Sequence, residues 1–308
     1  MRLAFIGAGR QAQEHARCAV ACGAEIVKAY TRRPDSPNRA AFHKVAPNVE
    51  WVRHLSEAFD GVDGIVCAVP WQMMPGLAHW LSATDKRVLL EKPIAFTVSD
   101  ATRMIGAASY NHKGKAIGFN RRFYEPVQEF KDRIEKGGLV SAAVTISNHL
   151  DLLTARHGAE IKTHVHAVMS IHSIDLMLHL FGHCAVEHRS HPLYSLRSYT
   201  RLTPIVLALH DNYPMKAGIS ALFDDGMAYN LTPLECLTVY DGVDMAEATP
   251  DMPVRQYVSH ETSRTIASTT YKPGIYAQMK AWLEDDWSTL ARPTDAVEAL
   301  SLLTDLRG

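Results

Sequence analysis

A short strand pattern, Arg2-Leu3-Ala4-Phe5-Ile6, runs straight into Gly7-Ala8-Gly9-Arg10-Gln11-Ala12 and then into a helical stretch. A glycine turn between a first strand and a first helix constrains the fold more than any other feature of this chain. It is how a parallel sheet with crossover helices begins. The first 120 residues keep that rhythm. Aliphatic runs at 25–30, 62–69, 87–91 and 115–119 alternate with helix-periodic stretches at about 10–22, 36–45, 72–83 and 97–110. Thr97-Val98-Ser99-Asp100 opens the last of these with capping residues. Such alternation predicts a parallel sheet covered on both faces.

After Gly118 the pattern changes. A helix is expected at about 123–136, then a strand-like run, LVSAAVTISNHL, after Gly137-Gly138, and another helix at about 167–181. From 185 to 258 the chain has strand character, broken at Asn212-Tyr213-Pro214, Asp224-Asp225-Gly226 and Asp241-Gly242. These are turns between antiparallel strands. The last 35 residues return to helix, with Pro293 and Thr294 marking a fresh start. The expected architecture is an α/β domain followed by an antiparallel α+β domain.

Composition narrows the class. The 308 residues are 47% hydrophobic and 21% charged, with a net charge of −1, so two soluble globular domains are within reach. With no basic face, nucleic acid and anionic membrane are poor candidates as principal partner. No run approaches the roughly 18 apolar residues of a membrane span, and the apolar N-terminus reads as a strand rather than a signal peptide. Cys18, Cys22, Cys67, Cys184 and Cys236 are scattered, and no second pair completes a metal site with the first two. Reduced thiols in a cytoplasmic protein are expected.

Gly7 allows a tight turn, Gly9 the close approach of a pyrophosphate, and Ala12 the packing of the helix on the sheet. Arg10 and Gln11 lie inside this dinucleotide fingerprint. A site for NAD places a carboxylate about 20 residues further on, against the ribose 2′-hydroxyl. Here the second strand ends in Thr31-Arg32-Arg33, and Asp35 follows only after Pro34. Two guanidinium groups suit a 2′-phosphate, so the expected cofactor is NADP(H). Two solvated arginines on a surface loop are the plain alternative.

The order of these pieces resembles the Gfo/Idh/MocA family of nicotinamide-dependent oxidoreductases, over essentially the whole chain. The carriers are AFIGAGRQAQEHA at the start, Thr31-Arg32-Arg33, EKPIAFT at 91–97, GFNRRF at 118–123, IHSIDLMLHLFG at 171–182 and the closing helices. The resemblance implies a Rossmann domain (1–120) that binds NADP and an α+β domain (121–308) with a large, mostly antiparallel open sheet. The second domain would bind substrate and join subunits, with the final helices free to pack back on the first. Homodimers or homotetramers formed through that sheet are implied, as is a small-molecule substrate.

The resemblance also assigns roles. The family lysine matching Lys92 hydrogen-bonds the substrate oxygen, where an ammonium stabilises developing alkoxide charge or donates a proton. Glu91 and Pro93 flank it, all three are also assigned to the cofactor, and the resemblance implies a cis bond before the proline. His172 matches the family histidine and is the second catalytic candidate. Asp175 ties its helix to the surroundings. The family aspartate four residues before that histidine is Val168 here. His164 and His166, on one face if that piece is extended, are candidates for substrate contact in its place. Ala68, Pro70, Trp71 and Asn120 are assigned to the cofactor, and Arg121 and Tyr124 to the substrate. Arg122 is either beside the cleft or on the surface. Trp71 and Met74 replace two polar residues of the family turn. No metal is expected.

The expected activity is hydride transfer between the nicotinamide and a carbonyl, alcohol or imine carbon of a small polar, sugar-like or related metabolite. The alternative is a catalytically degenerate NADP-binding regulatory or sensor protein, which Val168 and Trp71 favour.

Overall fold

The computed structural model describes residues 1–107 and 114–308. In chain order the first elements are β1 (Arg2–Ile6), α1 (Arg10–Ala21), β2 (Glu25–Tyr30), α2 (Asn38–Val45), β3 (Glu50–Trp51), β4 (Gly64–Cys67), α3 (Met74–Ser82), β5 (Arg87–Leu90), α4 (Val98–Ala107) and β6 (Lys115–Ile117). Then come α5 (Glu125–Glu135), β7 (Leu139–Ser147), α6 (Leu150–His157), α7 (Ile161–Val165), a π-helical turn at His166–Ser170 and α8 (Ile171–Phe181). The rest are β8 (Cys184–Ser190), β9 (Leu193–Ser198), β10 (Pro204–His210), β11 (Gly218–Phe223), β12 (Ala228–Leu231), β13 (Cys236–Ala246), β14 (Gln256–Ile266), α9 (Ile275–Glu284) and α10 (Pro293–Arg307). The fold class is the expected one: a parallel α/β sheet and a large, mostly antiparallel sheet. The chain forms two compact units, one of 1–123, 157–176 and 268–308, the other of 124–156 and 177–267.

In the first unit six parallel strands run in the order β3-β2-β1-β4-β5-β6. Every residue of β4 is buried, as a strand covered on both faces requires. The two-residue β3 was too short to stand out in the sequence. The end of the expected helix at 108–110 lies outside the described residues. Trp282 of α9 is fully buried, and a Cβ on Gly64 would come within 2.9 Å of its ring. Glycine at 64 therefore serves this close packing rather than a turn. The Ile117 N–H donates to the Ala291 carbonyl, which binds the segment before α10 to β6. Lys115 is fully buried, donates to the Thr84 and Lys86 carbonyls, and is pulled down to about 8 by burial, against the pull of Asp85.

The second unit holds eight strands in the order β14-β13-β12-β11-β7-β10-β9-β8, antiparallel except for β7 with β10. Alternation is clear on β10, where Ile205, Leu207 and Leu209 are buried and Pro204 and Val206 exposed. Val127, Phe130 and Ile134 of α5 supply buried apolar cover. Strand structure continues to Ile266 rather than stopping near 258, because β13 and β14 pair as a long hairpin whose distal part is exposed. Between 150 and 166 the structure adds helix: α6 and α7 form where the sequence predicts none, so the piece carrying His164 and His166 is helical and the extended condition for their shared face is not met.

The main buried ion pair belongs to the first unit. Arg122 makes two bonds to Asp175, Nε to Oδ2 at 2.9 Å and Nη2 to Oδ1 at 2.5 Å, and Nη1 lies 3.1 Å from Asp295. Burial pushes the Asp175 carboxyl up to about 6, and Arg122 opposes that rise. Removing one partner of such a pair costs more than replacing both, because the other charge is left buried. Arg122→Met should destabilise the protein by about 3–5 kcal/mol in urea unfolding, and Arg122→Met with Asp175→Leu should recover most of it. A single-variant loss under about 1 kcal/mol would contradict this account.

Candidate active site

The nucleotide end is built by the first strand–helix turn. Gly7 has φ +104°, and a Cβ there would fall 2.2 Å from the Ala68 carbonyl oxygen, so no other residue fits. At Gly9 a Cβ would meet nothing within 4 Å, which leaves an open cradle at the N-terminus of α1. Ala12 is fully buried, its methyl turned into the core. A cavity of about 470 Å³ begins at Gly7-Ala8-Gly9 and passes Thr31, Arg32 and Arg33 at the end of β2. Ala68 and Pro70 after β4 close another side. A dinucleotide fits these residues: an open cradle at a helix N-terminus for its phosphates and two guanidinium groups further along.

The chemistry end lies at the carboxyl end of β5, next to β4 in the sheet. The Lys92–Pro93 bond is cis. The Glu91 N–H donates to the Cys67 carbonyl at 2.9 Å. Its side chain receives Gln11 Nε2 at 2.6 Å and lies 2.7 Å from His15 Nε2, both on α1. Burial pushes the Glu91 carboxyl up, but these bonds and the Lys92 charge outweigh it and hold the group below its ordinary value. Lys92 Nζ donates to the Val168 carbonyl at 2.6 Å, on the π-helical turn. Burial pulls the Lys92 ammonium down to about 8, with Arg121 and Lys272 pushing the same way and Glu91 opposing.

His172 stacks edge-on against Phe119, ring centroids 5.7 Å apart, and its Nδ1 is buried without a hydrogen-bond partner among the described residues. Burial first, then the charges of Lys92, Arg121 and Lys272, hold the imidazole well below its ordinary value. It is therefore neutral at physiological pH. Arg121 Nη1 donates to Ser173 Oγ at 2.6 Å.

The expected site residues divide into groups. Gly7, Gly9, Thr31, Arg32, Arg33, Ala68 and Pro70 line the one cavity, together with Asp35 despite its place after Pro34. Gln11, Glu91, Lys92, Arg121 and His172 are joined by the bonds and charges above. Arg10 is exposed at the start of α1. Asn120 Nδ2 is committed to the Pro273 carbonyl at 2.8 Å. Trp71 is buried in a ring cluster with Phe96 and His164, and its Nε1 has no hydrogen-bond partner among the described residues. His164 and His166 do not share one face of an extended piece; both line a separate cavity of about 370 Å³ with Phe96 and Arg307. Arg122 is buried in its ion pair rather than on the surface. Tyr124 is buried at the start of α5.

Three participants escaped the sequence reading. His15 stands four residues after Gln11, so both fall on one face of α1, a spacing that was legible. Lys272 Nζ donates to Gln11 Oε1 at 2.6 Å; a second Lys-Pro followed by glycine, before α9, was the available signal. The Val168 carbonyl carries no side-chain signal at all.

Comparison with known proteins agrees with this geometry. Residues 1–119 match a family model described as the GFO_IDH_MocA oxidoreductase family with an NAD-binding Rossmann fold. The rhizopine catabolism protein MocA of Rhizobium meliloti is 28% identical over 44% of this chain and 43% of that protein. Glucose-6-phosphate 3-dehydrogenase of Bacillus subtilis (strain 168) is 27% identical over 58% of this chain and 53% of that protein. The chain thus spans about half the length of the curated relatives it matches. An oxidoreductase from Agrobacterium radiobacter, solved with NAD+, L-tartaric acid and magnesium, has the same fold at TM-score 0.72 and 15% identity, covering 100% of this chain and 96% of that one. By its glycine turn and the sheet that follows, the segment 1–119 is similar to the NAD-binding Rossmann fold of the Gfo/Idh/MocA oxidoreductase family.

Proposed function

We propose that this protein is an NADP(H)-dependent oxidoreductase acting on a carbonyl, alcohol or imine carbon of a small polar, sugar-like metabolite. One observation carries the reading: Lys92, at the carboxyl end of β5, has an ammonium pulled to about 8 and held by the Val168 carbonyl. A group titrating near working pH serves as both proton donor and acceptor. The nicotinamide supplies or accepts the hydride when bound. In this reading Lys92 binds the substrate oxygen, stabilises its developing charge and moves its proton at Nζ. Neutral His172 orients the substrate as a hydrogen-bond partner rather than as a charged acid. Glu91, fixed by His15 and Gln11, holds the backbone from which Lys92 projects.

Arg32 and Arg33 on the cavity wall support NADP over NAD, with Asp35 the carboxylate among the described residues lining it. The sugar-like substrate class is carried over from the relatives' names, a glucose-6-phosphate 3-dehydrogenase among them. We assign nucleotide binding to the domain at 1–120, and substrate binding and homodimer or homotetramer formation through the larger sheet to 121–308. A cytoplasmic location rests on five cysteines that form no disulfide. Among the described residues no helix is long and apolar enough to cross a membrane. A sensor that binds NADP without turnover is favoured by the missing carboxylate at 168, and turnover with any carbonyl compound excludes it.

Cofactor preference is tested by titrating the protein with NADPH and NADH, followed by nicotinamide fluorescence. NADPH should bind at least about tenfold tighter, and Arg32→Ala with Arg33→Ala should abolish the difference by weakening NADPH alone. Equal affinities in the unaltered protein would make the two arginines surface charge. A second test uses a carbonyl compound returned by an NADPH-consumption screen, with kcat/KM followed from about pH 6 to about 9.5. Reduction needs the Lys92 proton, so its rate should fall as pH rises through about 8, and alcohol oxidation should rise through the same value. Because His172 stays neutral, no limb should appear near 6.5. A limb there would make imidazolium the acid.

A further inference from the structure

Among the described residues, neither Lys92 nor Lys272 forms an ion pair. Lys92 Nζ ends on a backbone carbonyl and Lys272 Nζ on a side-chain amide, both neutral acceptors. Gln11 is thereby fixed in orientation: its Oε1 faces Lys272 at 2.6 Å and its Nε2 faces Glu91 at 2.6 Å. The exposed Lys272 is held toward this network rather than left to solvent. Asn120 fixes the same loop through the Pro273 carbonyl. Arg121 is anchored on Ser173, one residue beyond His172.

The nearby carboxylates are already engaged. Glu91 takes bonds from Gln11 and the Lys92 amide and sits against His15, while Asp175 is spent on Arg122. Three cations therefore act on His172, and one carboxylate acts on Lys92. Positive charge in excess around a partly desolvated imidazole is costly until an anion joins it.

We infer that Lys272, with Lys92 and Arg121, forms a cationic face around His172 that selects a substrate carrying a carboxylate or phosphate close to the reacting carbon. The inference rests on the oxidoreductase reading and narrows it from sugar-like metabolites in general to acidic ones. Lys92 is then shared between the reacting oxygen and the anion's field, and Lys272 becomes a substrate-binding residue. Ammonium and guanidinium groups bind both anion types, so carboxylate and phosphate are separate arms of the test.

The probes are D-gluconate, D-sorbitol 6-phosphate and D-sorbitol, which share a six-carbon polyol backbone and differ in the anionic group. Each is titrated into the NADPH-loaded protein by calorimetry, and into Lys272→Met and Lys272→Arg. At least one anion should bind about tenfold tighter than sorbitol. Lys272→Met should erase that preference, Lys272→Arg should retain it, and both should bind NADPH within about twofold of the unaltered protein. Sorbitol bound as tightly as both anions, an anion preference intact in Lys272→Met, or no binding of any probe up to about 50 mM would each overturn the inference. A tenfold loss of NADPH affinity in Lys272→Met would also overturn it, by assigning the lysine to the cofactor. Failure of the unaltered protein to bind NADPH removes the oxidoreductase reading itself, and the inference falls with it.

Discussion

Lys92 reaches from the carboxyl end of β5 to the backbone carbonyl of Val168, and the site is organised around that 2.6 Å contact. An ammonium that leaves water for a neutral acceptor keeps its hydrogen bond but loses hydration, so its proton is held less tightly. That is why a lysine here titrates near 8 rather than near its ordinary value. A carboxylate at the same position would have raised it again. The π-helical turn supplies the acceptor, and such turns are found mostly where function has widened a helix.

From that contact the geometry runs back to the nucleotide cavity in short covalent and hydrogen-bonded steps. Glu91 precedes Lys92, and its N–H is tied to Cys67 at the end of β4. Cys67 precedes Ala68, whose carbonyl is the atom that forbids any side chain on Gly7. Glu91 is also clamped from α1 by Gln11 and His15, on the helix that Gly7 and Gly9 open. The glycine cradle and Lys92 are thus linked through these contacts, as the proposed hydride transfer with its tight positioning demands.

Much of this was legible in residue order. Strand–helix alternation up to 120 predicts the parallel sheet, and glycine at 7 has a steric reason that sequence spacing already suggested. Legibility fails where the cause is not local. The histidines at 164 and 166 share a face only on an extended piece, but apolar Ile161 and Val165, four apart and both buried, belong to a helix. Arg122 looked like cleft or surface because its partner, Asp175, lies 53 residues away. The acceptor for Lys92 is a backbone atom, and residue type carries no trace of it. Lys272 is separated from Gln11 by 261 residues, so only the folded chain brings the two together.

The central claim is that burial and neighbouring cations lower the Lys92 ammonium while Val168 accepts its proton bond. A titration of protein labelled at the lysine ε-carbon, followed by NMR, reads this without any substrate. Among the described lysines, Lys92 and Lys115 should titrate near 8, and Lys92→Met should remove one of these signals. If the signal lost in Lys92→Met titrates at the ordinary lysine value of about 10.4, the ammonium is solvated and the account of the site is wrong.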